Sequence, residues 1–193
     1  MHKISALTLA CLLSSSAAFA DTNVALNKSV TLNGSGWGIG GWGGGLLALA
    51  STATDGAFLG TNHQWDIGSL WWQGDLNTGA QVVIDLNGMF SINSFAVEAD
   101  NNDTYRIEYN QNGSWVTAWD VPINCCYGMQ TNTTTLASAI VTDSLRFTAT
   151  GGDNLYSVSE IQAFGQPVPE PETYALMLAG LGLVGFAARR RKV

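Results

Sequence analysis

The sequence predicts an all-β fold, a β-sandwich of the jelly-roll kind, for residues 21–166, and three observations predict it. Short apolar–polar alternations recur along the segment, Gly and Asn residues punctuate them, and no stretch carries the 3.6-residue periodicity of an amphipathic helix. The clearest element is a hairpin. Tyr105, Ile107 and Tyr109 alternate with Arg106, Glu108 and Asn110, and the chain returns through Trp115, Thr117 and Trp119. Between them Asn112-Gly113 supplies the two positive-φ positions that a tight two-residue turn requires. Gln81 to Leu86 is a continuous β-rich run suited to a buried strand. Phe95 with Val97, Leu145 with Phe147, and Val158 with Ile161 and Phe164 mark further strands. Many short strands joined by turn residues fold as two packed sheets.

The chain has 193 residues, 46% apolar and 12% charged, with a formal net charge of −7. That length accommodates one domain of ordinary size plus export segments. Seven tryptophans and scarce charge exclude a disordered chain. Five of the eight cations sit at the ends, as Lys3 and Arg189-Arg190-Arg191-Lys192, so between residues 21 and 168 thirteen carboxylates face only Lys28, Arg106 and Arg146. A body this acidic argues against nucleic acid as a partner and favours divalent cations over polyanions.

Both ends read as addresses. Residues 1–20 combine a basic start, an apolar run from Ile4 to Leu13 and Ala18-Phe19-Ala20, the pattern of a signal peptide cleaved after Ala20. Residues 167–193 hold Pro169-Glu170-Pro171, an uncharged stretch from Tyr174 to Ala188 and the basic cluster. Fifteen residues make about 22 Å of helix against a hydrocarbon core of about 30 Å, and snorkelling arginines are expected to extend it to a marginal transmembrane helix. This tripartite tail resembles the PEP-CTERM sorting signal of Gram-negative bacteria. The resemblance implies an exosortase as processing partner, transient anchoring in the inner membrane and delivery to the cell surface or extracellular matrix.

The body resembles the discoidin family, coagulation-factor type C domains close to the galactose-binding-like jelly rolls. The matching pieces, in the family's order, are Asn23 to Thr31; Ala53-Thr54-Asp55-Gly56 with Trp65; Val82 to Leu86; Tyr105 to Tyr109 with Gly113-Ser114-Trp115; Leu145-Arg146-Phe147; and Tyr156 to Gly165. Two features depart from it: a glycine-rich insertion at 34–45, and Cys125-Cys126. The resemblance implies a structural Ca²⁺ near the closure of the chain, with Asp55, Thr61 and Glu160 in the ligand positions. Ca²⁺ takes six to eight oxygens, and loop 51–61 offers backbone carbonyls for the rest. The alternative is that Asp55 makes an Asx-turn before Gly56 and Glu160 is a surface charge.

The resemblance also places ligands at loops on one end of the barrel, where residues 60–75 contribute His63, Trp71 and Trp72. Adjacent strand residues face opposite ways, so one of Trp71 and Trp72 points inward and the other is a candidate for stacking on sugar. Trp65 reads as core. Arg106 is either a ligand contact or half of a surface ion pair. Eight glycines in residues 34–45 surround Trp37 and Trp42, forming either a mobile tether with exposed indoles or a loop pinned by its two rings. The Asp100–Asp103 run reads as a solvated loop. Cys125 and Cys126 are the cysteines left after signal cleavage and form either a vicinal disulfide or a bridge between chains. No nucleophile elbow or zinc-protease helix is present, and His63 is the one histidine of the mature chain. The expectation is an exported, surface-sorted, non-catalytic module that binds extracellular polysaccharide. The rivals are a structural matrix protein acting through protein–protein association and a small hydrolase using His63.

Overall fold

The structure, a computed structural model, describes residues 21–124, 127–169 and 171–190. The expected signal peptide (residues 1–20), the expected Cys125–Cys126 bridge and Glu170 of the expected sorting motif lie outside the described residues. Eight strands occur in order: β1 (Thr22–Asn23), β2 (Ser29–Asn33), β3 (Leu70–Gln73), β4 (Gln81–Asp100), β5 (Thr104–Gln111), β6 (Ser114–Val121), β7 (Met129–Gly151) and β8 (Leu155–Pro167), followed by the helix α1 (Pro171–Arg190). The pairing is antiparallel throughout.

Two long strands serve both layers. β4 pairs with β7 up to Asp85 and again from Phe90, with a register break between them. Asn87 and Gly88 take positive φ at that break and turn the strand through a corner. Before the corner β4 lies between β2 and β7, whose other edge continues to β5 and β6. After it β4 lies between β7 and β8, and β8 carries β3 and β1 on its far edge. One core fills the space between. Val82, Ile84, Tyr105, Ile107, Leu145 and Phe147 come from the first layer, and Trp72, Phe95, Val97, Tyr156, Val158 and Ile161 from the second. The first strand meets the last: Thr22 lies opposite Gly165 and Asn23 opposite Phe164.

The hairpin forms as its residues dictate, with Asn112 at φ 54° and Gly113 at φ 88° between Gln111 and Ser114. Simple alternation beyond the turn would put Trp115, Thr117 and Trp119 on one side. A bulge at Ala118 changes that: Trp119 pairs with inward Ile107, while Thr117 pairs with outward Glu108. Gln81 to Leu86 is buried on one face only, at residues 82, 84 and 86.

The expected transmembrane helix is corrected. α1 is helical over twenty residues, yet among the described residues no helix is long and apolar enough to cross a membrane. Its uncharged stretch is too short for the hydrocarbon core, and Gly180, Gly182 and Gly185 dilute its hydropathy.

Candidate functional site

Loops converge at one end of the sandwich because backbone hydrogen bonds stitch them together. The β4–β5 loop meets the segment before β7 through Asn101 N–H to Gly128 O (3.1 Å) and Asn101 Nδ2 to Tyr127 O (3.0 Å). That segment meets the stretch before β3 through Met129 N–H to His63 O and Asn62 N–H to Met129 O, both 2.9 Å. Gly128 has no alternative at this crossing: a Cβ there would lie 2.3 Å from His63 O, at φ 74°.

Across this end runs the glycine-rich insertion. It is a strap seated on the sandwich, not a tether. Gly41 lies against the Trp71 ring, where a Cβ would come within 2.8 Å, and Gly43 donates its N–H to the buried Asp66 carboxylate at 2.5 Å. Asp66 also accepts from Gln64 Nε2 (2.7 Å), and Gln64 Oε1 accepts from the Tyr127 hydroxyl. The strap buries Trp71 from outside, which overturns the expectation for Trp71 and Trp72. The two do face opposite ways, but neither has an open ring: Trp71 is 3% and Trp72 1% exposed. Trp72 packs among Trp37, Tyr105 and Tyr156, with ring centroids 4.8–6.3 Å away, and Trp71 packs edge-on to Trp65. Trp37 is half-buried on Trp72 and donates Nε1–H to Asn33 O. Trp42 alone among the candidate tryptophans is open, at 79%.

Trp42 edges a cavity of about 300 Å³, lined also by Gln64, Trp65, Asp100, Asn102, Tyr127 and Asp153. Tyr127, in the same lining, is 57% exposed. The Asp100–Asp103 run is not a solvated loop, because Asp100, Asn101 and Asp103 are all buried. Burial, reinforced by the Asp153 charge, raises Asp100 to about 7, while an Asn101 N–H bond opposes the rise. Burial, then the Asp100 charge, raises Asp103 to about 8. Asp103 is fixed from beneath by the Tyr105 hydroxyl (3.1 Å), which itself accepts Ser157 N–H (3.2 Å). Asn102 Nδ2 donates to Asp153 at 3.0 Å. Two exposed rings facing carboxyl and amide groups can stack on and hydrogen-bond a small polar molecule. Gln64 lay within the predicted loop; Asp100, Asn102, Tyr127 and Asp153 did not. The one signal for them was their position where strands end, which does not separate a pocket from an ordinary turn.

The remaining candidates lie elsewhere. His63 Nε2 lies 3.0 Å from Ile67 O, and among the described residues no serine or carboxylate bonds to its ring. Arg106 pairs with Asp120 at 2.6 Å and lines a different groove. Near the closure, Glu160 is fully buried; its Oε1 accepts from Gly56 N–H (3.1 Å) and Gln162 Nε2, and its Oε2 has no partner. Burial foremost, with the charges of Asp55 and Glu98 adding, raises Glu160 to about 7. Asp55 does make the Asx-turn, accepting Ala57 N–H at 2.8 Å. Glu98 holds the same loop through Leu59 N–H (2.6 Å) and Gly60 N–H (2.8 Å). Thr61 follows Gly60 and is exposed. Among the described residues no three His, Cys, Asp or Glu side chains form a metal cluster.

Residues 167–192 match the PEP-CTERM protein-sorting motif. The chain ends in a PEP-CTERM sorting signal. Upstream of this signal, the sandwich superposes on a fucolectin from striped bass (Morone saxatilis) serum with a TM-score of 0.58, at 14% identity, over 79% of this chain and 52% of that one. A chitosan-binding module from a chitosanase/glucanase of Paenibacillus sp. IK-5 superposes with a TM-score of 0.50 at 20% identity, over 75% and 99%. The shared feature is the fold, an antiparallel β-sandwich. No curated protein matches the sequence.

Proposed function

We propose that this protein is an exported, surface-sorted, non-catalytic module that binds a neutral sugar unit of an extracellular polysaccharide in the loop-end pocket. The observation that carries the reading is the pairing of exposed Trp42 and Tyr127 around Asp100, Asn102 and Gln64 in one cavity. A hexose presents an apolar C–H face to such rings and hydroxyls to such polar groups. The fold it shares with a fucolectin and a chitosan-binding module supports the same reading, as the sorting motif supports delivery to the surface by way of an exosortase. The test is a glycan array with the full chain. Binding to one neutral saccharide is expected, and Trp42→Ala should weaken it about tenfold or more while Tm stays within about 2 °C, because an exposed ring contributes little to folding. No binding to any glycan, or full binding by the variant, would reject the pocket.

A structural Ca²⁺ at the chain closure belongs to the same proposal. The orphaned Oε2 of buried Glu160 beside the Asp55 turn fits a hard cation, with backbone carbonyls of 51–61 and Thr61 completing the shell. The bound ion would tie the first loop to the last strand.

A second reading has one observation behind it. Ile39 and Trp42 of the strap, with Leu46 and Leu49 just after it, expose 59–87% of their surface. Exposed apolar side chains this close in sequence suit association with another protein of the matrix. Sedimentation of the full chain distinguishes the readings: a dimer dissolved by Leu46→Glu favours association, and a monomer at high concentration removes it.

A further inference from the structure

Arg106 and Arg146 are the sandwich's only arginines, and strand pairing brings both to one face. In the first layer Tyr105, Ile107, Leu145 and Phe147 are buried in the core, so Arg106 and Arg146 alternate outward. Arg146 lies opposite Glu108, and Arg106 opposite Thr148. The two guanidinium groups therefore stand on neighbouring strands, one row apart. They line an open groove of about 520 Å³ with Gln81, Glu108, Thr148, Thr150 and the half-exposed Leu76, a volume within the usual range for small-ligand sites.

Both groups are held in orientation. Arg106 Nε bonds Asp120 at 2.6 Å; Arg146 Nε bonds Glu108 at 2.7 Å, and its guanidinium carbon sits 4.8 Å from the Trp115 ring centroid. Every hydrogen bond that either side chain makes to the described protein runs through Nε. The Nη1 and Nη2 donors of both remain for a ligand. A guanidinium edge is a planar fork that matches a carboxylate in bidentate geometry.

We propose that this groove is a second saccharide site, which takes a uronate residue within an otherwise neutral sugar chain. The carboxylate is held by the Nη donors of Arg106 and Arg146, and the neighbouring hydroxyls by Gln81, Thr148 and Thr150. The acidity of the body selects this ligand over a dense polyanion. The excess of exposed carboxylates over cations repels a high charge at long range, and Glu108 and Asp120 already offset the two arginines. Recognition therefore depends on short-range fork geometry and not on bulk attraction. The site is separate from the loop-end pocket and does not depend on it.

The experiment compares cellobiouronic acid with cellobiose by titration calorimetry on the full chain at physiological salt. The uronate should bind about tenfold tighter or better. Thr148→Glu places a competing carboxylate opposite Arg106 without removing either arginine, and it should abolish that preference. Arg106→Lys with Arg146→Lys keeps the charge, loses the fork and disturbs the fold least, so the preference should fall there too. Trp42→Ala should leave it intact. Equal affinity for the two disaccharides overturns the proposal, as does a preference that survives both arginine-face variants or vanishes in Trp42→Ala. Uronate binding without any cellobiose binding supports this groove, while the loop-end pocket stands or falls by the glycan array.

Discussion

Two tryptophans of the same sequence type have opposite fates, and burial decides which. Trp72 is enclosed by three aromatic rings, so Trp72→Ala should destabilise the fold by about 3–5 kcal/mol, read as a lowered Tm and denaturation midpoint. Trp42 is open and should be silent in the same assay. The buried carboxyls make a second prediction at this scale. Asp100 and Asp103 hold protons in the fold, at about 7 and about 8, that the unfolded chain releases near pH 4. Their contribution to stability is complete below pH 4 and is lost as pH rises through 7 and 8. Tm should therefore decline from pH 5 to pH 9, and Asp103→Asn, which keeps a neutral side chain at every pH, should flatten the decline. An identical slope in the variant would sever the link. Neither carboxyl was legible as buried, because Asp-Asn-Asn-Asp has the composition of a solvated turn.

At the level of elements, the hairpin and the strap show how much a local pattern conveys. Asn112-Gly113 determines its own turn, since few other residues accept positive φ at both positions. The bulge at Ala118 has no such signature, and it packs Trp119 against the core while Trp115 stays outside above Arg146. The glycine-rich strap was ambiguous for a physical reason: glycine serves equally where a chain is loose and where it must approach another closely. Contact resolves it. Gly41→Val should force the strap off Trp71 at about 1–3 kcal/mol, with a red shift of tryptophan emission, whereas a loose tether would tolerate the change without effect.

Across the whole molecule, closure joins the first and last strands of the sandwich. β1 pairs with β8, and Gly56 reaches Glu160 across 104 residues of sequence. If Ca²⁺ occupies this joint, chelation should lower Tm by about 5–10 °C relative to calcium at a hundredfold over Kd, and Asp55→Ala should erase that difference. Coincident melts with and without chelator would remove the ion from the account. The two proposed sugar sites lie on different parts of the same sandwich, one on loops and one on a sheet face, so each can be disabled without the other.

The amino-acid order by itself determined the strand alternation, the hairpin turn and the sorting tail. Each is written in local spacing or in a motif whose parts are contiguous. Only the tertiary structure decided which indoles are open, which carboxyls are buried and which groove Arg106 lines. Alternation states that neighbouring residues face opposite ways, but not what covers the outer face. That depends on segments far apart in sequence, here a glycine strap lying across Trp71 and three strand-end loops closing around Asp100.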